Sequence, residues 1–554
     1  MKKKIIIIGG VAAGATAAAR ARRLDENAEI TIVERGPYVS YANCGLPYFI
    51  SGEIGKRAAL LLQTPEGFDA RYGVRVLVNT EAIAIDRTAK QVTIRNGEGT
   101  SQLGYDSLIL AQGGNPILPP VPGIDAPNVF RLWTVPDMDR LHEHLKTSGA
   151  KSAVVVGGGF IGLEMAEAFA KRGLATTVVE MLPTVMAVMD REFGVSIAGE
   201  LAKSGVQVVT GAQVTAVLPE ARKIQLADGR QIDADVVLFS VGVRPELTLA
   251  KQAGIEIGPT GGVRVDAQLR TSDPDIFAAG DMVEVTHKIS TRTVRVPLAG
   301  PANRQGRIAA TNALGGKMRY SGAMGTSVVK IFGATAAMTG LGEKAARDAG
   351  FDVGVAMIVK DHHAGYYPGA KEMTLKLVYD RKTARVLGGQ AFGSEGVEKR
   401  IDVLATALAG KLTLDDLAEL DLAYAPPYSS ANDPVNLAAF IGLNDISGYS
   451  PLVTAAGAKQ ELASASPPVL LDVRTLREFE QGHVKGALHL PVDDVRFELG
   501  SVPKDRRVLV YCRSGFRAHL ALRILQQNGF SNVANVTGGY LSIASEGGFE
   551  LETA

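Results

Sequence analysis

The sequence predicts an α/β chain built from two parallel-sheet units of one plan, then an α+β unit, then a further α/β unit. Three observations predict it. First, two stretches repeat the same order: a β-branched strand, a glycine turn, a small-residue helix, a second strand and an acid. One is IIIIGGVAAG…ITIVE, ending at Glu34, and the other is SAVVVGGGFIGLEMAEAFAKRG…TTVVE, ending at Glu180. Second, from about Gly325 the texture changes to alternating segments, VVKIFGATAAMTGLG, KEMTLKLVYD and VLGGQAFG, which read as an antiparallel sheet with helices. Third, PPVLLDVR restarts a β/α pattern that runs to the C-terminus. A chain of 554 residues has room for several such domains. The expected boundaries are 1–118 and 244–324 for the first unit and 119–243 for the second. The α+β unit spans 325–446, the stretch 447–465, rich in Ser, Gly and Ala, reads as a linker plus a first short element, and the last domain spans 466–554.

Composition excludes several classes of function. The formal net charge is +1, so no strong field favours nucleic acid or a membrane surface. Only two cysteines occur, Cys44 and Cys512, which argues against a secreted disulfide framework and fits a reducing, cytoplasmic compartment. Two isolated cysteines make no Cys-rich metal site, and adjacent His362 and His363 lack convincing partners, so no metal is expected. Lys2 to Lys4 followed by the apolar run from Ile5 to Ala19 imitates a signal peptide. The glycines at 9, 10 and 14 favour a buried strand running into a helix. No other segment approaches the roughly 20 apolar residues of a membrane helix.

Each glycine turn opens a helix, so backbone N–H groups at the positive end of that helix can meet a pyrophosphate. An acid about 20 residues on accepts hydrogen bonds from a ribose. In the second copy Gly157, Gly159 and Gly162 complete G-x-G-x-x-G, and Glu180 follows. In the first copy Gly9 and Gly14 fit, Val11 replaces the middle glycine, and Glu34 follows. Two Rossmann-like domains imply two dinucleotides. A carboxylate at Glu180 repels a 2′-phosphate, and Met181, Leu182 and Pro183 supply no arginine, so NADH is favoured over NADPH.

TSDPDIFAAGDMVEV, with Asp281 after Gly280 at a strand end, adds a third signal. With LILAQGGNP (108–116) and VGVRP (241–245), which look like crossovers between the two dinucleotide domains, the chain resembles the glutathione-reductase-like flavoproteins. Gln112 stands where a threonine is usual. The resemblance implies an FAD site at Gly9, Gly10, Gly14, Glu34, Arg35, Asn43, Ala82, Ala111, Gly113, Gly280, Asp281 and Ala299. It implies an NAD site at Gly157, Gly159, Phe160, Ile161, Gly162, Glu164, Glu180 and Gly242.

Cys44 lies in SYANCGLPY (40–48), a polar Gly/Pro-rich loop just after the first acid. Related reductases shuttle electrons through C-x-x-x-x-C, but this loop holds a single cysteine. Cys44 must then cycle through a mixed disulfide with an external thiol or through sulfenic acid. The loop resembles those of coenzyme A disulfide reductases, NADH persulfide reductases and NADH peroxidases. Peroxidases of this group carry a histidine in the first glycine turn, where this chain has Ala12, so disulfide or persulfide reduction is favoured. The resemblance implies coenzyme A, as substrate or bound ligand, at Thr16, Arg20, Arg23, Ser40, Asn43 and Arg71. Asn303 replaces a histidine present in some relatives. It also implies a homodimer in which Tyr367 and Tyr424, from HHAGYYPGA and AYAPPYS, reach the partner's cysteine. Tyr366 and Tyr428 are the alternatives.

LLDVRTLREFEQGHVKGALHLP followed by VLVYCRSGFRA resembles rhodanese domains. Cys512 follows a strand, and the loop of Arg513, Ser514, Gly515, Phe516 and Arg517 leads into a helix whose N–H groups and arginines can stabilise a thiolate or persulfide. A phosphate-binding loop would want arginine where Ala518 stands. The expected function is FAD-dependent reduction by NADH of persulfides, polysulfides or coenzyme A disulfide, with the rhodanese domain handling sulfane sulfur. The alternatives are an NADH oxidase or peroxidase, and a redox-sensing sulfur-carrier module.

Overall fold

A computed structural model describes residues 2–553. The chain forms two compact units, Met1–Pro183 with Gly205–Gly325, and Thr184–Ser204 with Thr326–Ala554.

The first unit holds two parallel five-stranded sheets. In one, Ile276–Ala278, Ser107–Leu110, Lys4–Ile8, Glu29–Val33 and Arg75–Leu77 pair in that order. In the other the order is Gln207–Val209, Ala175–Val179, Ser152–Val156, Val236–Phe239 and Val129–Phe130. Four consecutive isoleucines suit the central strand because both faces of a parallel sheet are covered. Ile5 and Ile7 pack with Ala17, Ala21 and Ala309. Ile6 and Ile8 pack with Val92, Leu249 and Met282 on the opposite face. The apolar N-terminal run is thus a strand followed by the helix Ala12–Leu24. The two crossover segments meet as an antiparallel pair, Gly114–Pro116 with Val243–Pro245.

The second unit begins with an antiparallel sheet in the order Ser327–Ile331, Ala334–Gly340, Val386–Gly393, Glu372–Asp380 and Val353–Asp361. The helices Val397–Gly410 and Pro434–Ile446 belong to the same unit. This unit also takes in Thr184–Ser204. Buried Lys376 binds Asp190 at 2.8 Å and also binds Glu192 and Glu343. The Asp190 N–H donates to Gln390 Oε1 at 2.8 Å. A lysine taken out of water needs such acids, and the chain supplies two of them from this segment.

The C-terminal sheet is parallel, in the order Leu452–Val453, Val533–Val536, Val508–Tyr511, Val469–Asp472 and Leu488–His489. Its two faces bury separate clusters, one around Val508, Val510 and Leu522, the other around Leu470, Leu509 and Tyr511. The stretch 447–465, expected as a linker with a first short element, holds a strand and a helix of this domain. Leu452–Val453 is its edge strand, and Ala455–Leu462 is a helix capped by Thr454. Ala455 and Ala458 are buried, so the small residues that read as a linker serve close packing. Among the described residues no helix is long and apolar enough to cross a membrane.

Candidate functional site

The two glycine turns have one geometry. Gly9 at φ +97° and Gly157 at φ +107° adopt the left-handed region, where a Cβ would strike the carbonyls of Ala111 and Ser240. Gly14 and Gly162 lie directly on the carbonyls of Gly9 and Gly157, which lets each helix approach its strand. Each acid is tied at both oxygens. Glu34 accepts from the N–H groups of Gly10 and Gly36, both at 2.8 Å. Glu180 accepts from Gly158 at 2.7 Å and Leu182 at 2.8 Å. Each carboxylate oxygen keeps a lone pair for a ribose hydroxyl. Burial, its largest influence, pushes the Glu34 carboxyl up against the opposing effect of those two N–H groups and Arg35.

The helices Ala12–Leu24 and Phe160–Lys171 have no side-chain cap and no acid in their first turns, so nothing there opposes an anion at their N–H groups. Gln112 Oε1, just after the carbonyl that abuts Gly9, is buried without a hydrogen-bond partner. Burial alone raises Asp281 to about 6. An orphaned amide oxygen and a desolvated carboxyl beside an open helix terminus fit a dinucleotide with hydroxyl groups. Sequence reasoning missed Gln305, a buried helix residue whose Oε1 accepts from Gly280 N–H at 2.7 Å and fixes the turn before Asp281. Ala82 lies in the core, while Arg35 and Ala299 are exposed. Gly113 and Gly242 take positive φ beside the crossover strands.

Cys44 lies in a short 3-10 turn, Asn43–Gly45, that leads into the helix Leu46–Ser51. Ser40 holds the loop entry at φ 47°, a left-handed conformation unusual for serine, and its N–H donates to Gly10 O at 2.8 Å. The Cys44 N–H donates to Asn43 Oδ1 at 3.1 Å. Tyr48 reaches across to Glu164 on the second dinucleotide helix, at 3.1 Å. Cys44 is exposed in the single chain, yet enough protein surrounds it that desolvation, then Glu164 and Asp281, push its thiol up. Burial raises Glu164 itself to about 7, against the Tyr48 hydrogen bond.

Of the residues expected at coenzyme A, Thr16 donates to Asn303 Oδ1 at 2.7 Å and Arg20 to Thr311 Oγ1 at 3.2 Å. Desolvation, then Arg307 and Arg23, lowers the Arg20 pKa. Among the described residues neither Arg20 nor Arg23 has an acidic partner; Arg71 is exposed on the helix Pro65–Tyr72. In the second unit the Tyr366 and Tyr424 hydroxyls lie 3.2 Å apart. Tyr367 sets its ring edge-on to His363 at 5.6 Å. Among the described residues no cluster of metal ligands occurs.

Cys512 is buried at the end of Val508–Tyr511. Gly515, at φ 115°, turns its N–H onto Cys512 Sγ at 3.1 Å. Asn535 Nδ2 holds the Gly515 carbonyl at 3.1 Å, and Tyr540 N–H holds the Cys512 carbonyl at 2.7 Å. Arg517 pairs with Glu478 at 2.6 and 2.7 Å while also facing Cys512. Arg513, expected as a thiolate partner, turns to Glu372 at 2.8 and 2.7 Å. The LLDVR motif is largely structural. Asp472 and Arg474 form a buried bidentate pair, and Arg474 lies over the Tyr540 ring at 4.1 Å.

Residues 3–306 match the pyridine nucleotide-disulphide oxidoreductase family, 326–434 the dimerisation domain of that family, and 454–546 the rhodanese-like domain. The chain belongs to the pyridine nucleotide-disulphide oxidoreductases and carries a rhodanese-like domain. It is similar to reduced CoADR-RHD of Bacillus anthracis, with 40% identity, a TM-score of 0.95 and 98% of each chain covered. It is also similar to an NAD-dependent persulfide reductase from A. fulgidus, with 37% identity, a TM-score of 0.90, and 97% of this chain and 99% of that one covered. An NAD(P)H sulfur oxidoreductase (CoA-dependent) of Pyrococcus abyssi is 36% identical over 78% of this chain and 97% of its own. A protein named NADH oxidase from Methanocaldococcus jannaschii is 32% identical over 80% of this chain and 99% of its own.

Proposed function

We propose that this chain is an FAD-containing, NADH-dependent reductase of persulfides, polysulfides or coenzyme A disulfide, working through Cys44, with Cys512 as a carrier of sulfane sulfur. The observation that carries this reading is the solitary Cys44, in a loop tied to the first glycine turn through Ser40 and to the helix Phe160–Lys171 through Tyr48. The only other cysteine, Cys512, has its own anion-stabilising loop in the C-terminal domain. With no second thiol in its loop, Cys44 works on a sulfur brought from outside.

Gly9, Gly10 and Gly14 would receive the FAD pyrophosphate, Glu34 its ribose and Asp281 its ribitol; Gly157, Gly159, Gly162 and Glu180 would receive NADH. Bound there, FAD would supply a two-electron relay between NADH and a sulfur at position 44. The Cys44 thiolate attacks the inner sulfur of coenzyme A persulfide, hydrosulfide leaves, and a Cys44–coenzyme A disulfide remains to be reduced. Glu164 and Asp281 oppose that thiolate when charged. Burial raises both, Glu164 the further, so Glu164 is partly protonated near neutrality and its opposition is eased. Arg20 and Arg23, free of acids, are suited to the phosphates of coenzyme A, with Thr16, Ser40, Asn43 and Arg71 nearby in role. In a homodimer, Tyr367 and Tyr424 of the second copy would give a proton to the leaving thiolate, and Tyr366 joins Tyr424 as a candidate through their shared hydrogen bond. A reducing cytoplasm suits both free thiols.

The test is NADH oxidation with coenzyme A disulfide, coenzyme A persulfide, polysulfide and hydrogen peroxide, in the native chain and in Cys44→Ser. Sulfur-dependent turnover that vanishes in the variant is the expected result. Aerobic NADH loss that needs no sulfur substrate would support an oxidase instead. Absence of turnover on every substrate would support a sulfur-carrier or sensing role.

A further inference from the structure

The rim of the Cys512 loop carries two cations, and both are matched by carboxylates. Arg517 is held by Glu478, which Thr475 fixes in turn through its N–H at 3.1 Å and hydroxyl at 2.9 Å. Arg513 is held by both oxygens of Glu372, which comes from the strand Glu372–Asp380 of the antiparallel sheet. An anion at Cys512 is met by the Gly515 N–H at 3.1 Å and by Arg517, whose charge Glu478 already offsets, while Arg513 is drawn off to Glu372. That suits the single charge of a thiolate or persulfide. Thiosulfate is a dianion and releases a second dianion, sulfite, so it needs an uncompensated guanidinium and would meet two acids here. Phe516, 71% exposed on the same rim, offers contact to carbon instead.

We infer that Glu372 sets the donor specificity of the Cys512 loop, disfavouring thiosulfate and leaving the loop to donors that carry their sulfane sulfur on carbon. The inference rests on the reading of Cys512 as a sulfur carrier. In the step it serves, the Cys512 thiolate attacks the terminal sulfur of R–S–SH. The donor S–S bond breaks, the Sγ–S bond forms, and the electron pair leaves on R–S⁻. The proton of the new persulfide passes to R–S⁻, giving Cys512–S–S⁻ and R–SH with no oxidant or reductant. The loop's own sequence contains Arg513, so the discrimination comes from a neighbouring domain.

The experiment uses the full flavin-loaded chain with Cys44→Ser, which leaves Cys512 as the sole thiol. Intact mass follows the gain of one sulfur from thiosulfate or from glutathione persulfide. Glutathione persulfide is expected to load Cys512 faster than thiosulfate by about tenfold or more. Glu372→Gln should raise the thiosulfate rate about tenfold by freeing Arg513, and change the glutathione persulfide rate less than about twofold. Glu372→Asp, which keeps the charge, should retain the discrimination. Arg513→Gln breaks the same ion pair without freeing a cation and should leave thiosulfate slow. The proposal is overturned if thiosulfate loads the parent as fast as glutathione persulfide, or if Glu372→Gln leaves its rate unchanged. It is overturned also if Arg513→Gln accelerates thiosulfate equally, because loosened packing then explains the gain. Loading from neither donor would overturn the sulfur-carrier reading itself.

Discussion

Asp472→Asn should uncouple the thermal behaviour of the two thiol sites. Asp472 is fully buried and Arg474 is 4% exposed. The carboxylate meets Arg474 Nε at 3.0 Å and Nη2 at 2.6 Å, and accepts the Arg474 N–H at 3.0 Å. Removing one charge of such a pair strands the other without water, which costs about 3–5 kcal/mol. Domains are stable by roughly 5–15 kcal/mol, so the loss is a large share of the C-terminal domain's reserve. At about 4–8 °C per kcal/mol for a domain of this size, sulfurtransfer at Cys512 should fail some 12 °C or more below its native limit. The stacked Tyr540, whose N–H holds the Cys512 carbonyl, ties that failure to the loop. The assay heats native and variant chains in steps, then measures sulfur loading of Cys512 and release of flavin fluorescence. Flavin release should be unmoved. The double variant Asp472→Leu with Arg474→Met, which buries no charge, should recover most of the loss. A single variant that keeps native thermal resistance at Cys512 would refute the reasoning.

Three further outcomes are expected. Cys44→Ser should retain FAD, read from its absorbance, and lose NADH-driven reduction of every sulfur substrate; normal turnover with coenzyme A persulfide would remove Cys44 from the mechanism. Glu180 should give NADH a kcat/KM above that of NADPH by about tenfold or more, since one lost polar contact plus repulsion exceeds ~1.4 kcal/mol; equal values would place the ribose elsewhere. Glu164 is raised from 4.5 to about 7, so its proton stabilises the folded state below pH 4.5, and that contribution is lost as pH rises through 7. Urea unfolding at pH 5 and pH 8 should therefore show a smaller fall in stability for Glu164→Gln than for the native chain, and an equal fall would contradict a buried, protonated Glu164.

The repeated strand–glycine–helix–acid plan is legible in the sequence because each part acts within a few residues of the next. Four isoleucines, Gly9 and Gly14 announce a parallel strand and a close-packed helix without further context. Cys512 is legible for the same reason, since strand, loop and helix follow directly. What escapes is long-range. Gln305 finds Gly280, Asn535 finds Gly515, and Glu372 finds Arg513 only when distant segments meet. The extent of structure within 447–465 escapes because alanine and glycine serve a tight helix contact as well as a connector. The pairing of Asp190 and Glu192 with Lys376 escapes because that lysine lies far along the chain. Adjacent Tyr366 and Tyr367 lie in an irregular loop, where no periodicity tells which hydroxyl reaches Tyr424.

The doubly tethered acids bear on any attempt to re-engineer coenzyme choice. Glu180 holds Gly158 with one oxygen and Leu182 with the other, so it is a fastener of the turn as well as the proposed reader of the ribose. Exchanging it for a neutral or basic residue to admit a 2′-phosphate also unfastens two backbone N–H groups and lets the phosphate-binding turn relax. A redesign aimed at NADPH would therefore do better to keep the turn fastened, with a short side chain that still accepts from Gly158, and to bring the new positive charge from the exposed neighbours Met181 and Leu182.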